Sequence, residues 1–125
     1  MTKLTFISEV KPLLKDLGFR KHGNYWYKTT GAYTYCVYVQ GSQWNKEDYY
    51  VEIGFAFPQD KFENPTVLHW YVRHRCSGTL GQLNISPGDL MASMNDVFWQ
   101  VSTQQQIWEL ISSRNAVKVA SQYWF

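Results

Sequence analysis

The chain has 125 residues, a formal net charge of +2, and a composition that is 45% hydrophobic and 18% aromatic. This length predicts one domain, residues 1–125, because it suffices to bury one core but not two. The near-neutral charge argues against a protein whose main task is to bind nucleic-acid phosphates, and the aromatic share favours a β-sheet.

The amino-terminal residues and the cysteines favour a cytoplasmic protein. Glu9 falls where a secretory signal would need an unbroken apolar run, and no apolar run approaches the length that spans a bilayer. Cys36 and Cys76 lie in strand-like segments rather than in a disulfide framework. We therefore interpret both as buried, reduced thiols, with a disulfide between them as the alternative.

The first predicted element is an amphipathic helix over residues 2–17, where apolar side chains recur at three- and four-residue spacing. Gly18 supplies a left-handed stop. Pro12 removes an amide donor, so we expect a kink there or a helix that properly begins near Val10. The basic run at residues 20–22 is interpreted as a solvated connector, with an anion site as the alternative.

Four strands are predicted next. Apolar and other residues alternate over the nine positions of the clearest one, which is the pattern of a half-buried strand. A short glycine-containing link between the first two strands favours a hairpin. The four predicted strands cover residues 25–29, 32–40, 49–57 and 67–76.

The remaining third of the chain predicts mainly helices. The expected elements are a short helix from Pro87 through Met94, a fifth strand at residues 97–101, a helix opened by a capping box of Ser102 with Gln105, and a last helical stretch at residues 116–125. The whole order predicts an α+β fold. Its antiparallel sheet has about five strands, and N-terminal and C-terminal helices cover one face.

The segment from Leu14 to Lys28 combines leucine–lysine, glycine–phenylalanine, basic, glycine–asparagine and tryptophan–tyrosine pairs. Gln40, Ser42 and Trp44 follow in a glutamine–serine–tryptophan stretch. These motifs resemble a bacterial family known as domain of unknown function 4304 (DUF4304), from the first helix to about residue 57. The resemblance supports the fold and implies no activity, although small bacterial domains of this type are often suspected of being toxin-immunity proteins.

Alternation along the strands predicts one polar and aromatic sheet face. The odd positions of the third strand are apolar and form the core side, to which we also assign Leu68, Trp70 and Val72 of the fourth strand. The opposite face then collects seven candidate binding residues from three strands: Tyr38, Gln40, Tyr50, Glu52, Tyr71, Arg73 and Arg75.

Tyrosine and arginine are enriched in binding hot spots, and arginines at alternate positions of a strand could hold a carboxylate or phosphate. The alternative is an ordinary solvated face on which Glu52 pairs with Arg73. If the face binds a partner, replacing Tyr71 and Arg73 together should abolish binding without unfolding the domain.

We predict no catalytic residue, metal site or cofactor. His74 and Cys76 share a strand face, but two ligands do not complete a tetrahedral site. Neither cysteine follows a nucleophile turn or opens a helix, so a cysteine hydrolase is disfavoured. An enzymatic role is therefore the less favoured interpretation.

The leading hypothesis is a small bacterial cytoplasmic module that binds another protein, with toxin immunity as one form of it. The alternative is a small-molecule or enzymatic domain in which Arg73 and Arg75 clamp an anionic ligand in a pocket. Binding of single-stranded nucleic acid is weaker still, because the aromatic–glycine submotif of such domains is absent. The oligomeric state is open.

Overall fold

The computed structural model describes residues 1–125 and has three helices and one seven-stranded sheet. The strand order is β1-β2-β3-β4-β5-β7-β6, and only the β5–β7 pair is parallel. The elements are α1 (Lys3–Asp16), β1 (Arg20–His22), β2 (Tyr25–Thr29), β3 (Thr34–Gly41), β4 (Tyr49–Ala56), β5 (Val72–Arg75), α2 (Pro87–Val97), α3 (Gln104–Ser113), β6 (Val117–Val119) and β7 (Gln122–Trp124). The α+β class and the antiparallel body are confirmed, whereas the strand count and the helix placement differ from the prediction.

Helix α1 begins earlier than Val10. The Thr2 side chain caps its first turn by accepting a hydrogen bond from the Thr5 amide at 3.3 Å. The helix runs through Pro12, and Gly18, with φ of 91°, ends it as expected.

The basic run at residues 20–22 is an edge strand rather than a connector. Gly23 has φ of 61°, which lets a two-residue turn join β1 to β2. The register pairs Arg20 with Tyr27 and His22 with Tyr25. The basic side chains are therefore held at fixed positions along the sheet edge.

Strands β3 and β4 form the centre of the sheet. They pair over eight residues, from Thr34 opposite Ala56 to Gly41 opposite Tyr49. The odd-numbered side chains of β4 are all buried, as the alternation predicted. This pair fixes the two sheet faces for every other strand.

The predicted fourth strand is wrong in its first half. Thr66 instead starts a 3-10 turn at Val67–His69, and the His69 ring nitrogen accepts a hydrogen bond from the Thr66 amide at 3.1 Å. The chain becomes a strand only at Val72. The assignment of Leu68 to the core is therefore also wrong, since this side chain is 75% exposed.

Two predictions for the last third of the chain are corrected. Residues 97–101 are not a strand, because α2 continues to Val97 and a 3-10 turn, Phe98–Gln100, follows it. Residues 116–125 are not helical, because they contain the β6–β7 hairpin, in which Ala120 has φ of 56°. The chain therefore ends in strands.

Both later helices begin with a side-chain cap, but the predicted capping box of Ser102 with Gln105 is wrong. Ser86 and Asp89 form a reciprocal capping box at the start of α2. The cap of α3 lies one residue later than predicted, because Thr103 accepts the hydrogen bond from the Gln106 amide. Ser102 donates to the Gln106 side chain instead.

All three helices pack on one side of the sheet, called the helix face from here on, and contribute to a core cluster of 25 buried residues. A smaller cluster on the opposite face contains Tyr27, Cys36, Ala56 and Trp70. Cys76 belongs to the main core, so the two cysteines lie on opposite sides of the sheet and are free. No helix has the length and apolarity needed to cross a membrane.

Candidate functional site

Six of the seven predicted binding residues lie on the sheet face opposite the helices. We call this set the arginine face: Tyr38, Gln40, Tyr50, Glu52, Arg73 and Arg75. Strand alternation and the β3–β4–β5 register bring it together. Tyr71 does not belong to it, because this ring stacks on Phe57 at 4.2 Å between centroids and meets Trp108 on the helix face.

Glu52 is the centre of the arginine face. Its side chain is completely buried, and both carboxylate oxygens are bound by arginines. The Arg73 Nε donates to Oε2 at 2.7 Å, and the second Arg73 contact to that oxygen is 2.5 Å. Arg75 donates to Oε1 at 3.1 Å. The pairing of Glu52 with Arg73, which was expected for a face without a binding role, is therefore present, and Arg75 adds to it.

Arg73 is held from several sides. Its side chain is only 12% exposed, and its guanidinium lies 4.2 Å from the centre of the Trp124 ring. Its Nη1 also donates to the Gln122 side chain at 3.4 Å. Gln122 in turn donates to the carbonyl of Trp70 at 3.1 Å. Arg73 therefore joins β4, β5 and β7 and has little surface left for a ligand.

Arg75 is the accessible arginine. Its side chain is 41% exposed and its guanidinium lies 4.9 Å from the centre of the Tyr50 ring. A guanidinium has five N–H donors, so one contact to Glu52 leaves donors free. Two guanidiniums face one carboxylate, and the group therefore carries one excess positive charge.

Tyr38 is packed on the tyrosines of β2. Its ring stacks on Tyr25 at 4.2 Å, and Tyr25 stacks on Tyr27 at 5.8 Å. The Tyr25 hydroxyl accepts a hydrogen bond from the Val67 amide at 3.2 Å. Burial raises the pKa of Tyr25 above its ordinary value, so this phenol stays neutral at physiological pH.

The segment between β4 and β5 covers part of this sheet face. The Tyr27 hydroxyl and the Trp70 indole both donate to the carbonyl of Pro65, at 2.8 and 3.2 Å. Gly54 makes this cover possible, because a Cβ there would lie 2.6 Å from the Trp70 ring. The cover leaves Arg75 partly exposed to solvent.

The β3–β4 loop adds a residue that the prediction did not include among the binding residues. Gln40 and Tyr50 line a small cleft of about 210 Å³ together with Gly41, Gln43 and Trp44. Trp44 is 85% exposed. It belonged to the motif that carried the family resemblance, and a tryptophan within a polar loop was the available signal for a contact residue. Trp124 and Gln122 were also missed, because their strand was predicted as helix.

Neither a metal-ligand cluster nor an activated cysteine is present in the structure. No three histidine, cysteine, aspartate or glutamate side chains form a group that could hold a metal ion. Burial raises the pKa of the Cys76 thiol to about 12 and that of Cys36 well above its usual value. Neither thiol is therefore a thiolate nucleophile at neutral pH.

A comparison with family models matches residues 10–118 to the domain of unknown function (DUF4304). A search of curated proteins and a search of solved structures each gave no match. The family match extends past residue 57, to which the resemblance was traced, and it includes the whole arginine face and Trp44. Because the match covers most of its length, the chain belongs to the DUF4304 family.

Proposed function

We propose that this chain is a bacterial, cytoplasmic protein-binding module whose partner places an acidic side chain on Arg75 and an apolar side chain on Trp44. The observation that carries this proposal is an accessible, incompletely neutralised arginine beside Tyr50, which lines one cleft with a tryptophan that is 85% exposed. A toxin would be one such partner, and the immunity role is that form of the proposal.

Charge supports an acidic partner. Arg73 alone already supplies two contacts to Glu52, so the charge of Arg75 is available to a second carboxylate. An added carboxylate would turn a group of two cations and one anion into a balanced one. Such complementarity steers encounter and fixes the orientation of a partner.

Aromatic surface supports a protein rather than a free anion. Tryptophan, tyrosine and arginine are the residue types that most often carry the binding energy of protein interfaces. Trp44, Tyr50 and Arg75 supply one of each on the same side of the sheet. Their rings would contribute apolar contact area beside the charged contact.

The small-molecule alternative is less well supported by the geometry. Glu52 already occupies the position that an anion would take between Arg73 and Arg75. Neither arginine lines any of the five clefts of the molecule. Base stacking by the tyrosines is also less favoured, since Tyr25 and Tyr38 already stack on each other.

The test uses a variant chosen for the exposed side chains rather than for Arg73. The double variant Trp44→Ala/Arg75→Gln removes the proposed contacts and leaves the Arg73–Glu52 pair. Immobilised wild-type protein should retain a specific protein from a lysate of its own cell type. The variant should bind that protein at least about 30-fold more weakly, because a hot-spot tryptophan contributes about 2 kcal/mol or more.

The matched control is Leu13→Ala/Lys118→Gln, which removes one apolar and one positive side chain away from the arginine face. Leu13 lies on α1 and is 42% exposed, and Lys118 lies beside Tyr123. The control should bind the partner as tightly as wild type does. Binding by both proteins should weaken at high salt, which screens the contact of Arg75. Equal binding by all three folded proteins would remove the arginine face as the contact surface.

A further inference from the structure

A second basic feature lies on the helix face of the sheet, away from the arginine face. A cleft of about 210 Å³ opens where α1 meets β1 and β2. Its lining residues are Lys11, Lys15, Phe19, Arg20, Lys21 and Trp26. Apolar rings and lysine stems therefore form its walls, and no carboxylate belongs to them.

Three lysines supply the charge of this cleft. Lys11 and Lys15 are one helical turn apart on α1, where like charges repel each other, and both are exposed. Lys21 is placed opposite Trp26 by the β1–β2 register, with its Nζ 5.3 Å from the ring centre. None of the three takes part in an ion pair of this chain.

Arg20 contributes little to the positive charge inside the cleft, although it is one of the lining residues. Its guanidinium lies over the Tyr27 ring at 4.8 Å, on the opposite face of the sheet. There it donates to the Asn64 side chain at 2.8 Å and to the Glu63 carbonyl at 2.6 Å. The cleft is therefore a three-lysine site.

Trp26 provides an independent observation that points to a ligand. This side chain is 1% exposed, and its indole nitrogen is the one buried side-chain polar atom that has no hydrogen-bond partner. A buried donor without an acceptor is unfavourable, and such a group in a native protein calls for an explanation. Trp26 is among the residues that line the cleft, so a ligand oxygen that enters beneath the exposed lysine side chains would supply the missing acceptor.

We propose that the cleft binds the phosphate group of a small phosphomonoester, with one phosphate oxygen accepting from the Trp26 indole and others contacting Lys11, Lys15 and Lys21. A phosphate carries about −1.5 to −2 charge and three acceptor oxygens, which suits three cations and one neutral donor. The cleft is smaller than the roughly 300–1,000 Å³ of sites for drug-sized ligands. It therefore fits the phosphate head group, with the organic part directed outward.

Amide and indole NMR of ¹⁵N-labelled protein tests this site directly. Phenyl phosphate should move the Trp26 indole N–H resonance downfield with saturation, because that proton gains a hydrogen bond. Inorganic phosphate, the other source of the same group, should move it in the same direction but bind more weakly. Benzoate at matched ionic strength should leave it in place, and an equal response to benzoate would overturn the assignment to phosphate.

The variant Lys11→Gln/Lys15→Gln should weaken phenyl phosphate binding by at least about tenfold, because it removes two charge-assisted contacts. Its matched control is Lys46→Gln/Lys118→Gln, which removes the same charge at exposed positions outside the cleft. The control should bind like wild type. An unmoved Trp26 resonance in wild type, or equal loss in both double variants, would contradict the proposal.

Discussion

Glu52 shows how a single residue links stability to the proposed surface. It is the one buried side chain of the chain that carries a charge, and isolating a carboxylate from water costs several kcal/mol. Arg73 and Arg75 offset that cost, but they differ in burial, with 12% and 41% of each side chain exposed. Arg73 therefore has a structural role, whereas Arg75 is accessible to a partner.

Replacing Glu52 by Gln should destabilise the protein by about 3 kcal/mol, because Arg73 would then be buried without its counter-charge. Replacing Arg75 by Gln should cost less than about 1 kcal/mol, because this side chain is partly solvated and Arg73 still binds the carboxylate. Urea unfolding of both variants measures the difference. Equal losses in the two variants would mean that Arg75 accounts for the whole stabilising effect of Glu52, which contradicts a structural role for Arg73.

A third ion pair, between Asp96 and Arg114, joins α2 to the end of α3 and makes the stability depend on pH. The hydrogen bond from Arg114 at 2.7 Å lowers the pKa of Asp96 below its ordinary value. A lowered carboxyl pKa stabilises the fold above the unfolded-state pKa, about 3.9, and that contribution is lost as pH falls through the folded-state value.

Asp96→Asn should therefore destabilise the protein at pH 7 and lose this effect in acid. The size should stay below about 1 kcal/mol, because the Asp96 side chain is 59% exposed and the pair is screened by solvent. Thermal unfolding of wild type and variant from pH 7 to pH 3 measures it. A difference that is unchanged at pH 3 would mean that the ion pair is not its source.

At the scale of elements, the β4–β5 pairing depends on one missing side chain. A Cβ at Gly54 would lie 2.0 Å from the Val72 carbonyl oxygen and 2.6 Å from the Trp70 ring. The backbone of β5 cannot yield as a flexible side chain can. The close approach of these strands therefore requires glycine.

Gly54→Ala should destabilise the protein by at least about 2 kcal/mol, since overpacking must move β5 or the Trp70 ring. The control is Gly31→Ala in the β2–β3 turn, where a Cβ would meet nothing within 4 Å. That change should stay within about 1 kcal/mol. Denaturant unfolding of both proteins checks the contrast, and a neutral Gly54→Ala would contradict the tight strand approach.

The elements that the sequence predicted well are those with local signals. Helix α1 had a regular apolar spacing and a glycine stop, and the alternation in β4 identified its buried face directly. The arginine face followed from this alternation, because side chains two apart on a strand share a face. Six of its seven predicted members are therefore correctly placed.

The errors have physical causes that lie outside local patterns. Trp70 and Tyr71 lost their predicted faces because the 3-10 turn before them, closed by the His69 ring, delays the start of β5. The terminal hairpin pairs in parallel with β5, some 50 residues earlier in the chain, and such non-local pairing leaves no periodic signal. Its Val-Lys-Val alternation was the available clue.

At the scale of the whole molecule, the sheet separates a packed side from a partly open one. The helices cover the main core, while the β4–β5 segment covers the middle of the other face around Trp70 and Tyr27. The arginine face adjoins that cover through Gln122 and Trp70, and Trp44 lies beside Gln40 and Tyr50. The cleft lined by Lys11, Lys15 and Lys21 lies on the helix face, so partner binding and phosphate binding are expected to be separable by mutation.

Oxidative footprinting of the partner complex tests the central proposal most directly. Hydroxyl radicals should modify Trp44 readily in the free protein, because it is 85% exposed. The proposal predicts that the bound partner protects Trp44 and Tyr50 and leaves Trp99 and Trp108, which are 39% and 37% exposed, as reactive as before. Unchanged oxidation of Trp44 together with protection of Trp99 and Trp108 would contradict the proposal and place the contact surface on the helix face.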